Sequence, residues 1–382
     1  MSRKIRVGVI FGGRSVEHEV SLASAQSVMG AMDVEKYDIV PIGITREGRW
    51  IASGDPVLAL TDGDATKSCP AALLNDPGGM GLVRLEEKDR ALRATPLAEL
   101  DVVFPVLHGP YGEDGTVQGL LELANMPYVG AQVTASSVAM DKVIFKDVIR
   151  AHGLPTVEHE TIKRKAWCAD PESILDTVEA RFSYPVFTKP ANLGSSVGIS
   201  KCQSRGELQA GLEDAARYDR KMLVEPAVPA AREIEVSVLG NDEPIASLPG
   251  EIVPSRDFYS YEAKYLDEGE EASDLLIPAP LSTEMTELVR ELAVQTYLAI
   301  DCAGMARVDF LLSGEEADVG DPPALYVNEV NTIPGFTKIS MYPKLWEATG
   351  VPYSELIDRL IELALERHRD KASTEVSYQP GE

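Results

Sequence analysis

The chain has 382 residues, of which 44% are hydrophobic and 25% are charged, values that fit a soluble globular protein of two or three domains. Its 36 basic and 61 acidic residues give a net charge of −25, which disfavours nucleic acids and anionic membranes as partners. An anionic ligand would therefore need a locally basic pocket. The chain has no signal-peptide pattern at its start and no run of about 18 apolar residues, so we expect a cytoplasmic protein.

The first part of the chain, residues 1–130, predicts a doubly wound α/β domain built on a parallel sheet. Three apolar, β-rich segments are the expected strands, at residues 5–11, 37–44 and 101–107. A helix is expected over residues 15–31, with Ser15 as its N-cap. Residues 52–90 match no regular pattern, and we interpret them as a loose insertion.

Two further domains are expected, a central one at residues 131–235 and a C-terminal one at residues 236–382. The patterns predict a helix over residues 136–152 and a closing helix over residues 353–369. Strands are expected in PVFTKP and KMLVEP and at residues 233–239, 306–312 and 325–330. Residues 250–280 are too polar and irregular for a regular element, and this segment is predicted to be a lid over a site.

A glycine- and serine-rich loop follows one of the predicted strands and reads KPANLGSSVGIS, residues 189–200. It is not a Walker phosphate loop, because its lysine precedes the glycines. Lys189 ends a predicted strand, and Lys142 lies at the start of a predicted helix in AMDKVIFK. Either lysine could contact a phosphate as a point charge, although a single lysine is usually a solvated surface residue.

Two late strands each carry a polar pair at positions i and i+2, which lie on the same face of a strand. Arg307 and Asp309 form the pair in ARVDFLL, and Glu329 and Asn331 form the pair in YVNEVNT. Their oxygen atoms are the ligands that Mg²⁺ prefers, with waters and phosphate oxygens completing its shell. The alternative is an exposed edge strand, but the apolar neighbours on both strands favour a cleft. We therefore predict a nucleoside triphosphate bound with a metal.

Six motifs in chain order resemble those of the D-alanine:D-alanine ligase family, which belongs to the ATP-grasp superfamily. They are FGGRSVEHEVS at 11–21, HGPYGEDGTVQG at 108–119, MDK at 140–142, KPANLGSSVG at 189–198, EAKYL at 262–266 and NEVNTIPGFT at 328–337. The resemblance spans nearly the whole chain. It implies a three-domain α/β architecture of the ATP-grasp type and an enzyme that joins two D-alanines at the expense of ATP.

The resemblance also assigns the nucleotide and metal ligands. The residues implied to bind ATP are Lys142, Lys189, Ser196, Glu225, Val228 and Glu233. Of these, the two lysines would contact the phosphates, and Glu225 would face the adenine or the ribose. The implied metal ligands are Asp309, Glu329 and Asn331, for two Mg²⁺ ions with Mn²⁺ as a substitute. A homodimer is implied as well.

For the amino acid site, the resemblance implies catalytic roles for Glu17, Ser195, Tyr265, Arg307, Gly335 and Ser340. Glu17 would pair with the ammonium of the first D-alanine, while Gly335 and Ser340 would contact the second D-alanine or the oxyanion. His108 and Lys264 would bind substrate. Judged without its motif, Glu17 would be an exposed acidic residue in the first turn of a helix, where it would favour the helix dipole.

Three alternative functions remain. A D-alanine:D-lactate ligase is less favoured, because those that confer glycopeptide resistance typically lack the EAKY segment. A dinucleotide-dependent oxidoreductase is suggested by VGVIFGG, but the third glycine of the fingerprint is missing. A nucleotide-binding protein without ligase activity would be expected to have lost part of the polar set on the two late strands.

Overall fold

The computed structural model describes residues 3–77, 81–253, 274–314, 324–337 and 339–375. Three β-sheets follow one another along the described chain, with helices packed on them. Across these ranges, no helix combines the length and the apolar character that crossing a membrane requires. The fold is of the mixed α/β class, as the sequence predicts.

The first sheet has its strands in the spatial order β6-β5-β4-β3-β2-β1-β7. In chain order, these strands are β1 (Ile5–Gly12), β2 (Tyr37–Ile44), β3 (Trp50–Gly54), β4 (Ser68–Leu73), β5 (Leu82–Lys88), β6 (Ala91–Ala98) and β7 (Val102–Val106). Strand β1 runs parallel to both β2 and β7, whereas the pairings from β2 to β6 are antiparallel. The parallel core is therefore confirmed, and an antiparallel extension is added to it.

Helices cover both faces of the parallel strands, as in a doubly wound domain. Helix α1 (His18–Ala31) packs on one face, where Val7 and Val9 of β1 share a core with it. The opposite face holds Ile10, which packs in a second core with Val117 and Leu121 of the helix Thr116–Leu123. A central strand enclosed on both faces needs apolar residues throughout, which explains the nearly continuous apolar run in β1.

Two predictions for this region are wrong. The first helix begins at His18, and the hydroxyl of Ser15 accepts the backbone N–H of Glu17 and does not cap the helix. Residues 52–90 are not a loose insertion. They contain the short helix α2 (Pro56–Thr61) and paired strands of the sheet extension. Nearly all of β6 is exposed, so an alternating apolar pattern that would reveal it is absent.

Helix α3 (Thr116–Leu123) is followed by α4 (Val133–Met140) and α5 (Lys142–Ala151). The predicted single helix over residues 136–152 is thus two helices. They are separated at Asp141, whose ψ of 96° is not helical and whose carboxylate accepts the N–H groups of Val143 and Ile144. Asp141 is therefore the N-cap of α5, and Lys142 is the first residue of that helix.

The second sheet is antiparallel, in the order β10-β9-β11-β8. Its strands are β8 (Glu160–Lys163), β9 (Val186–Pro190), β10 (Ser200–Cys202) and β11 (Lys221–Pro226). Its helices are α6 (Arg164–Ala169), α7 (Pro171–Arg181) and α8 (Arg205–Tyr218). The glycine- and serine-rich loop is the connection between β9 and β10, and Lys189 belongs to β9.

The third sheet has the order β15-β14-β12-β16-β17, with β13 paired to β12. Its elements are β12 (Arg232–Gly240), β13 (Ile245–Ala246), β14 (Gly250–Val253), β15 (Asp274–Leu276), α9 (Thr283–Ala299), β16 (Gly304–Leu312) and β17 (Leu325–Asn331). The predicted lid, residues 250–280, is therefore not wholly irregular, since β14 and β15 pair at its two ends. Residues 254–273 lie outside the described residues, so a lid role stays a prediction.

The last two helices are α10 (Met341–Ala348) and α11 (Tyr353–Ala372), and they pack against the N-terminal part of the chain. Leu356 and Leu360 of α11 belong to the same core as Val7 of β1, and α11 contacts α1. Trp346 of α10 is in that core too. The end of the chain thus packs on the first sheet, which brings the loops after β1, β7 and β17 together. The domain boundaries themselves stay a prediction.

Candidate active site

A cavity of about 490 Å³ lies between the second and third sheets. Its walls come from β9, the glycine- and serine-rich loop and β11 on one side, and from β12, β16 and β17 on the other. Eight of the predicted nucleotide and metal ligands line it: Lys142, Lys189, Ser196, Glu225, Val228, Glu233, Asp309 and Glu329. Its volume is in the usual range for a small-molecule site.

The glycine- and serine-rich loop is held in an uncommon backbone conformation at the mouth of this cavity. Ser195 and Ser196 have φ angles of 52° and 57°, a region that residues with a side chain rarely adopt. Gly198 has a φ of 72°, and a Cβ there would lie 2.7 Å from the ring of Tyr218. The ammonium of Lys142 donates to the carbonyl oxygen of Leu193 at 3.0 Å, which ties the loop to α5.

A buried carboxylate flanked by two lysines borders the cavity. One oxygen of Glu225 lies 2.7 Å from Nζ of Lys146, and the other lies 2.6 Å from Nζ of Lys189. Burial by itself would raise the pKa of Glu225, but the charges of the two lysines outweigh it and lower the pKa from 4.5 to about 2. Glu225 is therefore an anion at neutral pH.

Lys146 is a residue that the sequence interpretation missed. Its side chain is only 2% exposed, although lysine is rarely enclosed without a partner. It follows Lys142 by four residues in MDKVIFK, so both lie on one face of α5. That spacing was the available signal, but an i, i+4 pair of lysines on a helix is common on protein surfaces.

The polar pairs on the two late strands lie side by side in the third sheet. In the antiparallel pairing of β16 and β17, Arg307 is opposite Asn331 and Asp309 is opposite Glu329. The guanidinium of Arg307 donates to both oxygens of Asp309 at 2.7 and 2.8 Å, and the side-chain amide of Asn331 donates to Asp309 at 2.9 Å. Asn331 does not itself border the cavity, although Asp309 and Glu329 do.

The donor chemistry of this cluster fits a hard divalent cation. Two carboxylates and an amide oxygen are ligands that Mg²⁺ takes together with water and phosphate oxygens. Both carboxylates have cationic partners, because Arg307 binds Asp309 and Lys142 lies 3.3 Å from Glu329. Arg307 also lies 3.0 Å from Glu235. Among the described residues, no group of three or more His, Cys, Asp or Glu side chains is arranged to hold a metal.

A second polar group lies next to Ser195 of the glycine- and serine-rich loop. The hydroxyl of Ser195 donates to the carboxylate of Glu17. Glu17 is only 7% exposed, so its interpretation as an exposed helix-turn residue is wrong. Nδ1 of His108 lies 3.0 Å from the carbonyl oxygen of Ile333, and Nε2 lies 3.2 Å from the hydroxyl of Ser24. Because a carbonyl only accepts, Nδ1 of the neutral ring carries the proton.

Glu113 completes this second group, and it too was missed in the sequence. Its two carboxylate oxygens accept the backbone N–H groups of Gly109 at 2.8 Å and Ile333 at 3.0 Å. Burial of the carboxyl, with the charge of Glu17 as the next cause, raises the pKa of Glu113 from 4.5 to about 8. The residue lies within the HGPYGEDGTVQG motif, where an acidic residue between glycines resembles an ordinary turn.

Gly335 and Ser340 lie side by side after β17. A Cβ on Gly335 would be 2.8 Å from the hydroxyl oxygen of Ser340, which accepts the N–H of Thr337 at 3.0 Å. The carbonyl and the N–H of Ile333, two residues before Gly335, contact His108 and Glu113. Tyr265 and Lys264 lie outside the described residues, so their predicted roles have no structural counterpart here.

A lysine-bearing glycine loop and an acidic strand pair, on two antiparallel sheets that enclose one cavity, define a protein of the ATP-grasp class. Comparison with known proteins gives the family. The profile described as "D-ala D-ala ligase N-terminus" matches residues 6–131, and "D-ala D-ala ligase C-terminus" matches residues 148–362. The chain belongs to the D-alanine–D-alanine ligase family, and it is an enzyme of the ligase class. The resemblance predicted from the six motifs is confirmed.

Named relatives agree over nearly the full length of the chain. The D-alanine–D-alanine ligase of Thermoanaerobacter sp. is 51% identical, covering 96% of this chain and 98% of that protein. The one from Heliobacterium modesticaldum is 49% identical over 96% of each chain. Among solved structures, the D-alanine–D-alanine ligase of Coxiella burnetii aligns with a TM-score of 0.80 and 36% identity, covering 97% of each chain.

The VanG D-Ala:D-Ser ligase of Enterococcus faecalis aligns equally well in space. Its TM-score is also 0.80, at 35% identity, covering 95% of this chain and 100% of that one. The fold is thus shared by ligases whose named second substrates differ, D-alanine for one and D-serine for the other. The overall fold therefore does not by itself determine the second substrate.

Proposed function

We propose that the protein joins two D-alanine molecules to D-alanyl-D-alanine in an ATP-dependent reaction that forms ADP and phosphate, as a step in peptidoglycan precursor synthesis. One observation carries this proposal. The Ser195 hydroxyl, in the loop that borders the lysine-lined cavity, reaches Glu17 of the second polar group. A nucleotide phosphate and a small amino acid could therefore meet at one loop. The names of the relatives support the same activity.

The nucleotide is proposed to bind in the cavity between the second and third sheets. Lys142 and Lys189 would contact the phosphates as point charges, with the hydroxyl of Ser196 as a further donor. Glu225, Val228 and Glu233 would face the adenosine end. The cavity is not basic overall, because three lysines and five carboxylates line it, so the locally basic pocket expected from the sequence is wrong. A bound metal would supply the further positive charge that the phosphates need.

The metal is proposed to be held by Asp309, Glu329 and Asn331, as two Mg²⁺ ions or with Mn²⁺ in their place. When bound, it would offset negative charge on the phosphates during phosphoryl transfer. Arg307, which is fixed by both oxygens of Asp309, would supply positive charge beside the reacting groups from this chain itself.

The reaction is proposed to have two steps. A carboxylate oxygen of the first D-alanine attacks the γ-phosphorus, so that an O–P bond forms, the bond to the β-phosphate oxygen breaks and ADP leaves. The neutral amine of the second D-alanine then attacks the acyl carbon, so that the C–N bond forms, the acyl C–O bond to phosphate breaks, the amine gives up one proton and inorganic phosphate leaves. Glu17 would hold the ammonium of the first D-alanine. Closure of the glycine- and serine-rich loop would exclude water, which would otherwise hydrolyse the acyl phosphate.

The test is release of phosphate from ATP and Mg²⁺, with product analysis, in the presence of D-alanine, L-alanine, D-lactate and D-serine in turn. We expect D-alanine to give the fastest release and a dipeptide. The similarity to a D-Ala:D-Ser ligase structure makes D-serine the most informative competitor. No phosphate release with any D-amino acid would contradict the proposal. A homodimer is proposed from the family resemblance alone, and light scattering tests it. A cytoplasmic location is proposed from the sequence pattern at the start of the chain.

A further inference from the structure

The buried cluster around Glu225 contains two cations and one anion. The side chains of Lys146 and Glu225 are 2% and 3% exposed, and that of Lys189 is 12% exposed. The remaining contacts of Lys146 are neutral, to the hydroxyl of Thr156 at 3.2 Å and the carbonyl oxygen of Val157 at 3.4 Å. Taken alone, the three side chains carry one surplus positive charge beside the cavity.

Other ionisable groups around the cluster do not cancel this surplus at Lys146. Arg150 and His159 of the surrounding elements also face it, and burial followed by the charge of Lys146 lowers the pKa of His159. Glu329 and Glu233 act on Lys189 from the third sheet. Glu329 and Glu233 thus act on Lys189, whereas Glu225 is the anion that pairs with Lys146.

We propose that Lys146 is a positioning residue for nucleotide binding: it keeps Glu225 paired, so that Lys189 can move from Glu225 to a nucleotide phosphate. This inference rests on the proposed nucleotide site. If Glu225 had Lys189 as its single partner, moving that lysine to a phosphate would leave a buried carboxylate without a counter-ion, which costs a large amount of free energy. With Lys146 in place, the carboxylate keeps one close ion pair throughout.

The test compares binding of adenosine, which has no phosphates, with binding of ADP, by titration calorimetry. Lys146→Met should weaken ADP binding about tenfold or more, the scale of one charge-assisted hydrogen bond. Adenosine binding should weaken much less than ADP binding, because adenosine has no phosphate for Lys189 to contact. Lys189→Met should show the same pattern, which establishes that the comparison reports on the phosphate contact. Lys146→Arg, which keeps the charge, should retain ADP affinity.

Lys221→Met is the matched control, because Lys221 is also buried in an ion pair, with Asp141, and does not border the cavity. We expect it to lower thermal stability without separating ADP from adenosine. If Lys146→Met instead weakens both ligands equally, or weakens neither, the positioning role is wrong. A wild-type chain that binds neither ADP nor ATP would contradict the proposed function itself, which is a distinguishable outcome.

A double-mutant cycle isolates the route through Glu225. In the Glu225→Gln background the side chain at position 225 has no charge for Lys146 to keep paired, so adding Lys146→Met should change ADP affinity by no more than about twofold. This arm remains decisive if Lys146→Met alone does not fold, since the double variant removes opposite charges together. A tenfold loss of ADP affinity on adding Lys146→Met to Glu225→Gln would show that Lys146 does not act through Glu225.

Discussion

Glu225 and Glu113 both have little contact with solvent, but their pKa values differ widely. The less exposed of the two has the lower pKa, which is the reverse of what burial alone would give. Glu225, the more buried residue, has its pKa lowered to about 2. Glu113 keeps some solvent access, yet its pKa is raised to about 8. Burial alone raises the pKa of any carboxyl, so it would predict the higher value for Glu225.

The difference comes from the neighbours. Glu225 has an ammonium group at each oxygen, whereas Glu113 has two backbone N–H groups and a second carboxylate, Glu17, nearby. At Glu225 the two ammonium groups outweigh the cost of desolvating the carboxylate. At Glu113 the two neutral N–H donors do not, because the negative charge of Glu17 adds to that cost. At neutral pH the site therefore combines a fixed anion among lysines with a carboxyl that tends to keep its proton beside Glu17.

The largest expected effect is on stability at the lysine cluster. Glu225→Gln leaves Lys146 and Lys189 without their shared anion, so we expect unfolding free energy to fall by about 3 to 5 kcal/mol, as when one partner of a buried ion pair is removed. Adding Lys146→Met should restore part of the loss. Thermal unfolding measures both changes. Glu251→Gln, in an ion pair with the partly exposed Arg232, is the control and should cost less. Equal losses of unfolding free energy in the two variants would show that the loss comes from burial of the glutamate and not from its two lysine partners.

A second effect is expected at Glu329, which borders the cavity and has one lysine at 3.3 Å. Glu329→Gln keeps the shape and removes the charge, so turnover should fall by an amount equal to about 2 to 4 kcal/mol in the barrier, as for other preorganised charges. Thermal stability should change far less than for Glu225→Gln. Normal turnover at saturating Mg²⁺ would contradict the assignment of Glu329 as a metal ligand.

The pH dependence of stability tests Glu113. Its pKa is higher in the folded chain, at about 8, than the usual 4.5, so the folded state holds the proton between these values while the unfolded state loses it. Stability from this group is therefore highest below pH 4.5 and decreases as pH rises to 8, by at most about 1.4 kcal/mol per unit. Solvent access to the side chain reduces this figure.

Glu113→Gln should remove that decrease, so the difference in melting temperature between variant and wild type should become more favourable to the variant from pH 5 to pH 8. Glu225 has the opposite sign, because its lowered pKa stabilises the fold above pH 4.5 and this stability is lost as pH falls towards 2. Parallel pH profiles for Glu113→Gln and wild type would show that Glu113 ionises normally.

The smallest effect is expected for Ser195→Ala, which removes the hydroxyl that donates to Glu17. Losing one hydrogen bond costs about 1 kcal/mol, so KM for D-alanine should rise about fivefold. KM for ATP should change less, because Ser195 contacts the amino acid side of the loop. An equal rise in both constants would show that the serine only maintains the loop conformation.

The sequence by itself determined the elements and residue pairs that depend on local periodicity. The i, i+2 pairs on β16 and β17 follow from the alternation of a strand, which is why Arg307 with Asp309 and Glu329 with Asn331 were predicted correctly as neighbours. The buried run of β1 likewise predicted an enclosed parallel strand. The six motifs together were specific enough to identify the family.

Tertiary structure alone decided the partners that are distant in sequence. Glu113 accepts an N–H from Ile333, 220 residues away, and Lys146 meets Glu225 across the boundary between α5 and β11. Helix α11 packs on β1 at the other end of the chain. Periodicity carries information over a few residues, whereas the pKa of a carboxyl depends on which charges the fold brings within a few ångströms of it. The two glutamates could therefore not be told apart until their neighbours were known.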